Sequence, residues 1–328
     1  MDLIIKPTQA CNFGCTFCSS NNIADNCKET LPPDVLFDFL KNNPTDRIIV
    51  NGGDPLMMPP EYYWKILEFL KESNMKTRLD FTTNLWDFYL HPDKWTELFK
   101  QPNVGVCTSF QYGGERRLAD GREFTEEMFR DVVKLFKERL GHPPLFIAVI
   151  NDNNEDTVIK TVELARDLNT ECKINPAVQS GRSGSFYPLY KMYEQYLSII
   201  DSGLGEFEHN CSYIKQVMHH QHVCCPYTRN CYKTIRCLSP DGKLHSCGCF
   251  NDDDRKNAEQ GSKTYELHEA AENQIKKDFG YLKAECFGCS LFGLCNGCYK
   301  HIADIKRSGT VEEHCRGMQK IKKRLEKL

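Results

Sequence analysis

Cys11-Asn12-Phe13-Gly14-Cys15-Thr16-Phe17-Cys18 places three cysteines on one short loop, spaced CxxxCxxC, shortly after the apolar run Leu3–Ile5. Iron–sulfur clusters are held by Cys thiolates, usually four. A loop that offers three leaves one iron open to another ligand. Gly14 allows the backbone to turn tightly inside the motif, and Phe17 is placed to shield a cluster from water. Cys27 is a candidate fourth ligand that would close the cluster, but its nine-residue distance from Cys18 breaks the compact loop. A structural zinc site is the competing reading, and it wants a closed four-ligand set.

Outward from that loop, the chain to about residue 205 alternates short apolar runs with amphipathic stretches. This is the pattern of βα units around a parallel sheet. Strands are expected at Leu3–Ile5, Arg47–Asn51, Thr77–Thr82, Val104–Ser109, Leu145–Ile150 and Cys172–Asn175. One helix should start at Pro59-Pro60 and gather Tyr63, Ile66, Leu67 and Leu70 on one face. Another gathers Phe129, Val132, Val133 and Phe136. Further helices are expected over Asn154–Leu168 and Tyr190–Ile200. Six repeats suit a partial (β/α)6 barrel, open on one side, better than a closed eight-fold one. Chemistry in such folds gathers at the C-terminal strand ends.

The CxxxCx-aromatic-C loop after a first barrel strand resembles the defining motif of the radical S-adenosylmethionine (SAM) superfamily. The resemblance implies a [4Fe–4S] cluster on Cys11, Cys15 and Cys18 whose open iron chelates the amino and carboxylate groups of SAM. An electron from the cluster then yields a 5′-deoxyadenosyl radical that abstracts a substrate hydrogen. Asn51-Gly52-Gly53-Asp54-Pro55 resembles the family's GGEP motif, whose backbone and acid meet the SAM amino group, with Asp54 in place of Glu. Thr82-Thr83-Asn84, Thr108-Ser109 and Asn151 end the third, fourth and fifth strands. Asn175-Pro176 and Gly181-Arg182 follow the sixth, where the family has an adenine-side contact and a GR pair. By this resemblance the cofactor-binding set is Gly52, Gly53, Asp54, Asn84, Ser109, Arg117 and Asn151. Arg117 stands there among three candidates, with Arg116 and Arg122, for the partner of the SAM carboxylate.

The chain has 18 cysteines, and twelve of them lie after residue 210. With no signal peptide in view, such clustering points to metal binding or redox chemistry in a reducing cytoplasm rather than to disulfides. Beyond Gly203-Leu204-Gly205 the helical and strand periodicity fades, and a segment so poor in core residues is expected to fold around metal. Cys286-x2-Cys289-x5-Cys295-x2-Cys298 holds two CxxC pairs that on their own could equally bind zinc, although the gap between them is short for a zinc ribbon, which leaves roughly 15–20 residues between its pairs. Together with Cys231, Cys237, Gly242, Cys247 and Cys315 it resembles the SPASM domain, an auxiliary-cluster extension of many radical SAM enzymes that modify peptides and proteins. The departure is two residues, where that pattern has three, between Cys295 and Cys298. The resemblance implies one auxiliary [4Fe–4S] cluster on Cys231, Cys237, Cys247 and Cys298, and a second on Cys286, Cys289, Cys295 and Cys315. The expected division is residues 1–205 for the barrel and 206–328 for the SPASM-like domain.

Cys27, Cys107 and Cys172 read as buried small residues. Cys224 and Cys225 have no assigned role. Cys249, two positions past a presumed ligand, is the candidate catalytic thiol that donates hydrogen to a substrate radical, with a structural thiol or a replacement ligand as alternatives. His219, His220 and His222 read as a surface run. Arg316–Leu328 reads as a solvated amphipathic helix.

A net charge of −3 provides no general drive toward nucleic acid or anionic membrane, and the apolar runs are too short to span a bilayer. The expected function is hydrogen abstraction from a peptide or protein, with epimerisation, crosslinking or oxidation as outcomes. A sugar or related metabolite is the alternative substrate, and a zinc-stabilised binding module the non-enzymatic one. The chain opens on its first strand, which leaves no room for an N-terminal leader-binding domain, so a separate leader-peptide-binding protein and a small substrate are the two expectations. A flavodoxin-like or ferredoxin-like donor is expected to supply electrons. Gly248, where sulfatase-maturing relatives carry an acid, argues against that activity.

Overall fold

Strand β1 (Asp2–Ile5) alternates half-buried Asp2 and Ile4 with fully buried Leu3 and Ile5. This period of two fixes which side chains face the core. The structure is a computed structural model that describes residues 1–19, 29–184, 186–218, 234–245 and 299–328. After β1 come β2 (Arg47–Val50), β3 (Arg78–Thr82), β4 (Val104–Ser109), β5 (Leu145–Ile150) and β6 (Cys172–Pro176), all parallel in the order β6-β5-β4-β3-β2-β1. The expected six-stranded α/β partial barrel is thus present, with strand limits within a residue or two of those read from sequence.

Helices α1 (Pro33–Asn42), α2 (Pro60–Glu72), α3 (Trp86–Leu90), α4 (Pro92–Phe99), α5 (Glu126–Leu140), α6 (Val158–Asp167) and α7 (Leu189–Asp201) connect and cover the strands. α5 shows how local chemistry sets an element. Thr125 caps its start by accepting from the Met128 N–H at 3.3 Å, and Gly141, at φ +86°, ends it in the left-handed region. Phe129, Val132, Val133 and Phe136 form its buried face, each contributing about 1.5–3 kcal/mol through burial.

Two features depart from the sequence reading. Strand β7 (Ile235–Leu238) pairs in parallel with β1, Ile4 opposite Cys237, and turns back through Gly242 (φ +76°) into antiparallel β8 (Leu244–His245). The parallel sheet therefore continues into the segment expected to be periodicity-poor. The second departure is at the C-terminus, where α8 (His209–Met218) is followed, among the described residues, by α9 (Tyr299–Ser308) and α10 (Val311–Leu325). α10 is amphipathic as expected but not simply solvated. Its His314, Met318, Ile321 and Leu325 are buried, Gly317 lies against the Tyr190 ring, Tyr190 Oη donates to Glu313 Oε1 at 2.8 Å, and Arg324 pairs with Asp201. Helix α7 is the surface it docks on. No described helix is long and apolar enough to cross a membrane.

Candidate active site

The loop that carries Cys11, Cys15 and Cys18 is held by backbone pairing to the segment after β4. Gly14 N–H donates to Arg117 O (2.8 Å), Thr16 N–H to Glu115 O (3.1 Å) and Ala119 N–H to Asn12 O (2.9 Å), with Phe13 opposite Leu118. From the other side Arg182 N–H donates to Cys18 O at 2.8 Å. In such an extended ribbon successive side chains point to opposite faces. Arg116 therefore turns inward, and Arg117 outward.

The three cysteines line a cavity of about 390 Å³ at the C-terminal ends of the strands, a size suited to a small-molecule ligand. Around them stand Asn51, Gly52, Gly53 and Asp54 after β2, Thr83 and Asn84 after β3, Ser109 and Arg116 from β4 and its loop, and Asn175–Val178 with Arg182 at β6. Lys6 closes one side and His301 of α9 another. Every one of these residues except His301 lies between positions 6 and 182.

Arg116 is one of three cations that line the cavity, with Lys6 and Arg182. Its Nη1 donates to Ser109 Oγ at 2.9 Å, its Nη2 and Nε to Gln111 Oε1 at 2.8 and 3.3 Å, and its Cζ lies 5.2 Å from the Phe17 ring centroid. Burial works against its charged form, while the sulfurs of Cys15, Cys11 and Cys18 favour it. A guanidinium has five N–H donors. Three are committed, so one remains on each Nη, the pair a carboxylate needs for a bidentate grip. Arg117, by contrast, donates from Nη1 to Gly121 O at 3.1 Å on the exposed side. The cavity position expected of Arg117 belongs to Arg116.

Gly52 and Gly53 are required by close backbone approach. Gly53 N–H donates to Thr8 O at 2.9 Å and Asp54 N–H to Ala10 O at 2.8 Å, and a Cβ on either glycine would collide with the Thr8 or Ala10 carbonyl. Asp54 borders the cavity, but its carboxylate serves the protein. Oδ1 accepts from Leu56 N–H (2.9 Å) and Thr83 Oγ1 (2.9 Å), and Oδ2 from Asn84 N–H at 2.7 Å. Burial pushes its pKa up to about 6 against those bonds. The free acceptor at this corner is Asn51 Oδ1, which is buried and has no hydrogen-bond partner among the described residues. Asn84 Nδ2 donates to Asn12 Oδ1 at 2.7 Å, tying β3 to the cysteine loop. Asn151 does not line the cavity; its Nδ2 donates to Glu115 Oε2 at 2.8 Å, and Glu115 bonds Thr16. It supports the loop from behind.

The donor set fits a cluster with an open iron. Three thiols face one cavity, and burial holds the Cys11 thiol protonated unless positive charge compensates it. Among the described residues no three His, Cys, Asp or Glu side chains converge on a single point. A four-iron cube does not ask for that, since each thiolate binds its own iron. The donors left on Arg116 and the acceptor left on Asn51 match the carboxylate and ammonium ends of an amino acid.

Of the residues expected to bind auxiliary clusters, Cys237 lies buried on β7 and Cys315 half-buried on α10. Cys231, Cys247, Cys286, Cys289, Cys295 and Cys298 lie outside the described residues, as do Cys27, Cys224, Cys225, Gly248, the candidate catalytic Cys249 and His219, His220 and His222. Cys172 is buried, as expected, and Cys107 is partly so.

Residues 5–165 match the family model of the radical SAM superfamily. This part of the chain is a radical SAM domain. No curated protein matches the chain. Among solved structures, native anSMEcpe with bound AdoMet superposes with a TM-score of 0.74, covering 99% of this chain and 98% of its own at 15% identity. Native anSMEcpe with bound AdoMet and Cp18Cys peptide gives 0.67, at 99% and 97% coverage and 16% identity. Streptococcus suis SuiB bound to precursor peptide SuiA gives 0.63, covering 91% of this chain and 72% of its own at 16% identity. At such identities the likeness is one of fold. The radical SAM match ends at residue 165, so Arg182 and His301 reach the cavity from outside the matched segment.

Two of the decisive side chains carried no local signal. Arg116 is one of three neighbouring arginines, and Asn51 precedes the Gly52-Gly53-Asp54 motif, whose acid is the more obvious polar group. His301 sits in α9, which is tied to the segment after β6 by Gln179 N–H donating to Asp304 Oδ2 at 3.1 Å, a contact between residues far apart in the chain.

Proposed function

We propose that this protein is a radical SAM enzyme that takes hydrogen from a peptide or protein substrate. The observation that carries the reading is the shared cavity of Cys11, Cys15, Cys18 and Arg116. When bound there, a [4Fe–4S] cluster and SAM would supply a reducing electron and a sulfonium whose cleavage gives a hydrogen-abstracting carbon radical. The chain's own contributions are binding, orientation and exclusion of water. Arg116 offers two N–H groups to a carboxylate, Asn51 Oδ1 accepts from an ammonium, and Phe17 and Phe13 wall the cysteine side against solvent. Buried Asp54 keeps the β2 and β3 loops in register through Leu56, Thr83 and Asn84.

The peptide reading draws on two of the folds described above, whose structures hold a Cp18Cys peptide and the precursor peptide SuiA. It also draws on the entry of His301, from outside the segment that matches the family, into the cavity wall. On this reading the C-terminal cysteines hold auxiliary clusters, and a flavodoxin-like or ferredoxin-like donor reduces the first.

Electron paramagnetic resonance of the reconstituted, dithionite-reduced protein tests the reading. Added SAM should change the signal of the reduced cluster, because it ligates the open iron. A signal indifferent to saturating SAM, or protein that takes up zinc in place of iron at Cys11, Cys15 and Cys18, overturns it. For the substrate class, deuterium should move from a perdeuterated peptide substrate into 5′-deoxyadenosine. Transfer from a sugar, with none from peptides, decides for the alternative.

A further inference from the structure

Arg116 enters the cavity with little freedom, and the reason is a residue that does not line it. Ser109 and Gln111 stand two positions apart at the end of β4 and both face Arg116, while Phe110 between them packs into the core, stacked 4.6 Å from Phe129. Gln111 is only 2% exposed. Its single carboxamide oxygen accepts from both Nη2 and Nε, so it grips one edge of the guanidinium and fixes the rotation of the plane.

Its own Nε2 has no hydrogen-bond partner among the described residues. A buried N–H left without a partner lowers stability, so the carboxamide is not accounted for by what it does for the fold. Other acceptors lie close by: the sulfurs of Cys15, Cys11 and Cys18 and the carboxyl of Asp54 act on Arg116, and a guanidinium released from Gln111 would be free to turn its donors toward them.

We propose that Gln111 is a positioning residue for SAM binding: it holds Arg116 so that one N–H of each Nη faces the SAM carboxylate. This rests on the SAM reading given above. Gln111→Met keeps the volume and removes the acceptor oxygen, and Gln111→Leu is the second variant should the first fold poorly.

The test measures the affinity of cluster-loaded, unreduced protein for SAM and for 5′-methylthioadenosine, which lacks the amino acid end, by equilibrium dialysis. Either Gln111 variant should bind SAM about tenfold more weakly and 5′-methylthioadenosine as wild type does. In an Arg116→Met background the same substitution should add nothing, because its effect passes through Arg116. SAM binding equal to wild type, an equal loss for both ligands, or multiplying effects in the double variant would each overturn the proposal. Wild-type protein that binds 5′-methylthioadenosine but gains nothing from the amino acid end fails it as well. Wild-type protein that binds neither ligand sinks the SAM reading itself, and this inference with it.

Discussion

Arg116 holds its guanidinium 5.2 Å from the centroid of the Phe17 ring, and Phe17 is the residue between Thr16 and Cys18 in the cysteine motif. The aromatic of the motif thus does two things. It lines the cavity beside the thiols, and it gives one of the cavity's cations an electron-rich face to lie on. A cation–π contact of this kind is worth about 0.5–2 kcal/mol. Phe17→Leu should keep the apolar cover and weaken SAM binding by roughly 2- to 30-fold, measured by titration of the cluster-loaded protein. An unchanged dissociation constant would remove Phe17 from the binding account.

The outward turn of Arg117 leads to a second expectation. Arg117→Ala should leave SAM affinity within about twofold of wild type, while Arg116→Ala should lose about 30-fold or more, as expected when a charged hydrogen-bonding partner is deleted. The reverse ranking would mean that the ribbon between the cysteine loop and residues 115–119 pairs one residue out of the register described.

Gly53 lies so close to the Ala10 carbonyl that even one methyl group has no room. Gly53→Ala should push the segment leading into Cys11 out of place. The expected result is protein whose far-ultraviolet circular dichroism is near wild type but whose iron and sulfide content after reconstitution falls by about one cluster. Full cluster content in this variant would show that the glycine pair is not needed to place the cysteine loop.

Sequence patterning reached the parallel sheet and the three-cysteine loop because both are local. Runs such as Leu145–Ile150 are apolar enough to be read as strands without knowledge of their neighbours, and the α5 face of Phe129, Val132, Val133 and Phe136 repeats at helical spacing. The choice between Arg116 and Arg117 was not local. It depends on pairing between Gly14 and Arg117, residues far apart in the chain, and a shift of one position would exchange their faces. Asp54 was legible as a motif acid but not in its role, because only the fold brings Thr83 and Asn84 to its oxygens. β7 was missed because its four residues include Arg236 and Cys237 within a cysteine-rich stretch, where strand and metal-loop patterns overlap.

Glu208 carries a pH dependence of stability. It is fully buried, and its oxygens accept from Ile174 N–H (2.9 Å) and Cys211 N–H (2.7 Å). Burial outweighs those bonds and raises its pKa above the ordinary carboxylate value. The folded state therefore holds the proton more tightly than the unfolded chain. Its favourable contribution is complete below the unfolded pKa and is lost as pH rises through the folded one. Glu208→Gln should flatten that fall in denaturation midpoint as pH rises above the ordinary carboxylate range. An identical slope in both proteins would show that another group is responsible.

A cluster held by Cys11, Cys15 and Cys18 with one iron open to SAM should cleave it. The test is anaerobic incubation of the reconstituted protein with SAM and dithionite, with mass spectrometry of the nucleoside products. Wild-type protein should form 5′-deoxyadenosine, and Cys15→Ala none. Wild-type protein that carries its iron yet forms no 5′-deoxyadenosine, or a Cys15→Ala variant that forms as much as wild type, would contradict that role for the three cysteines.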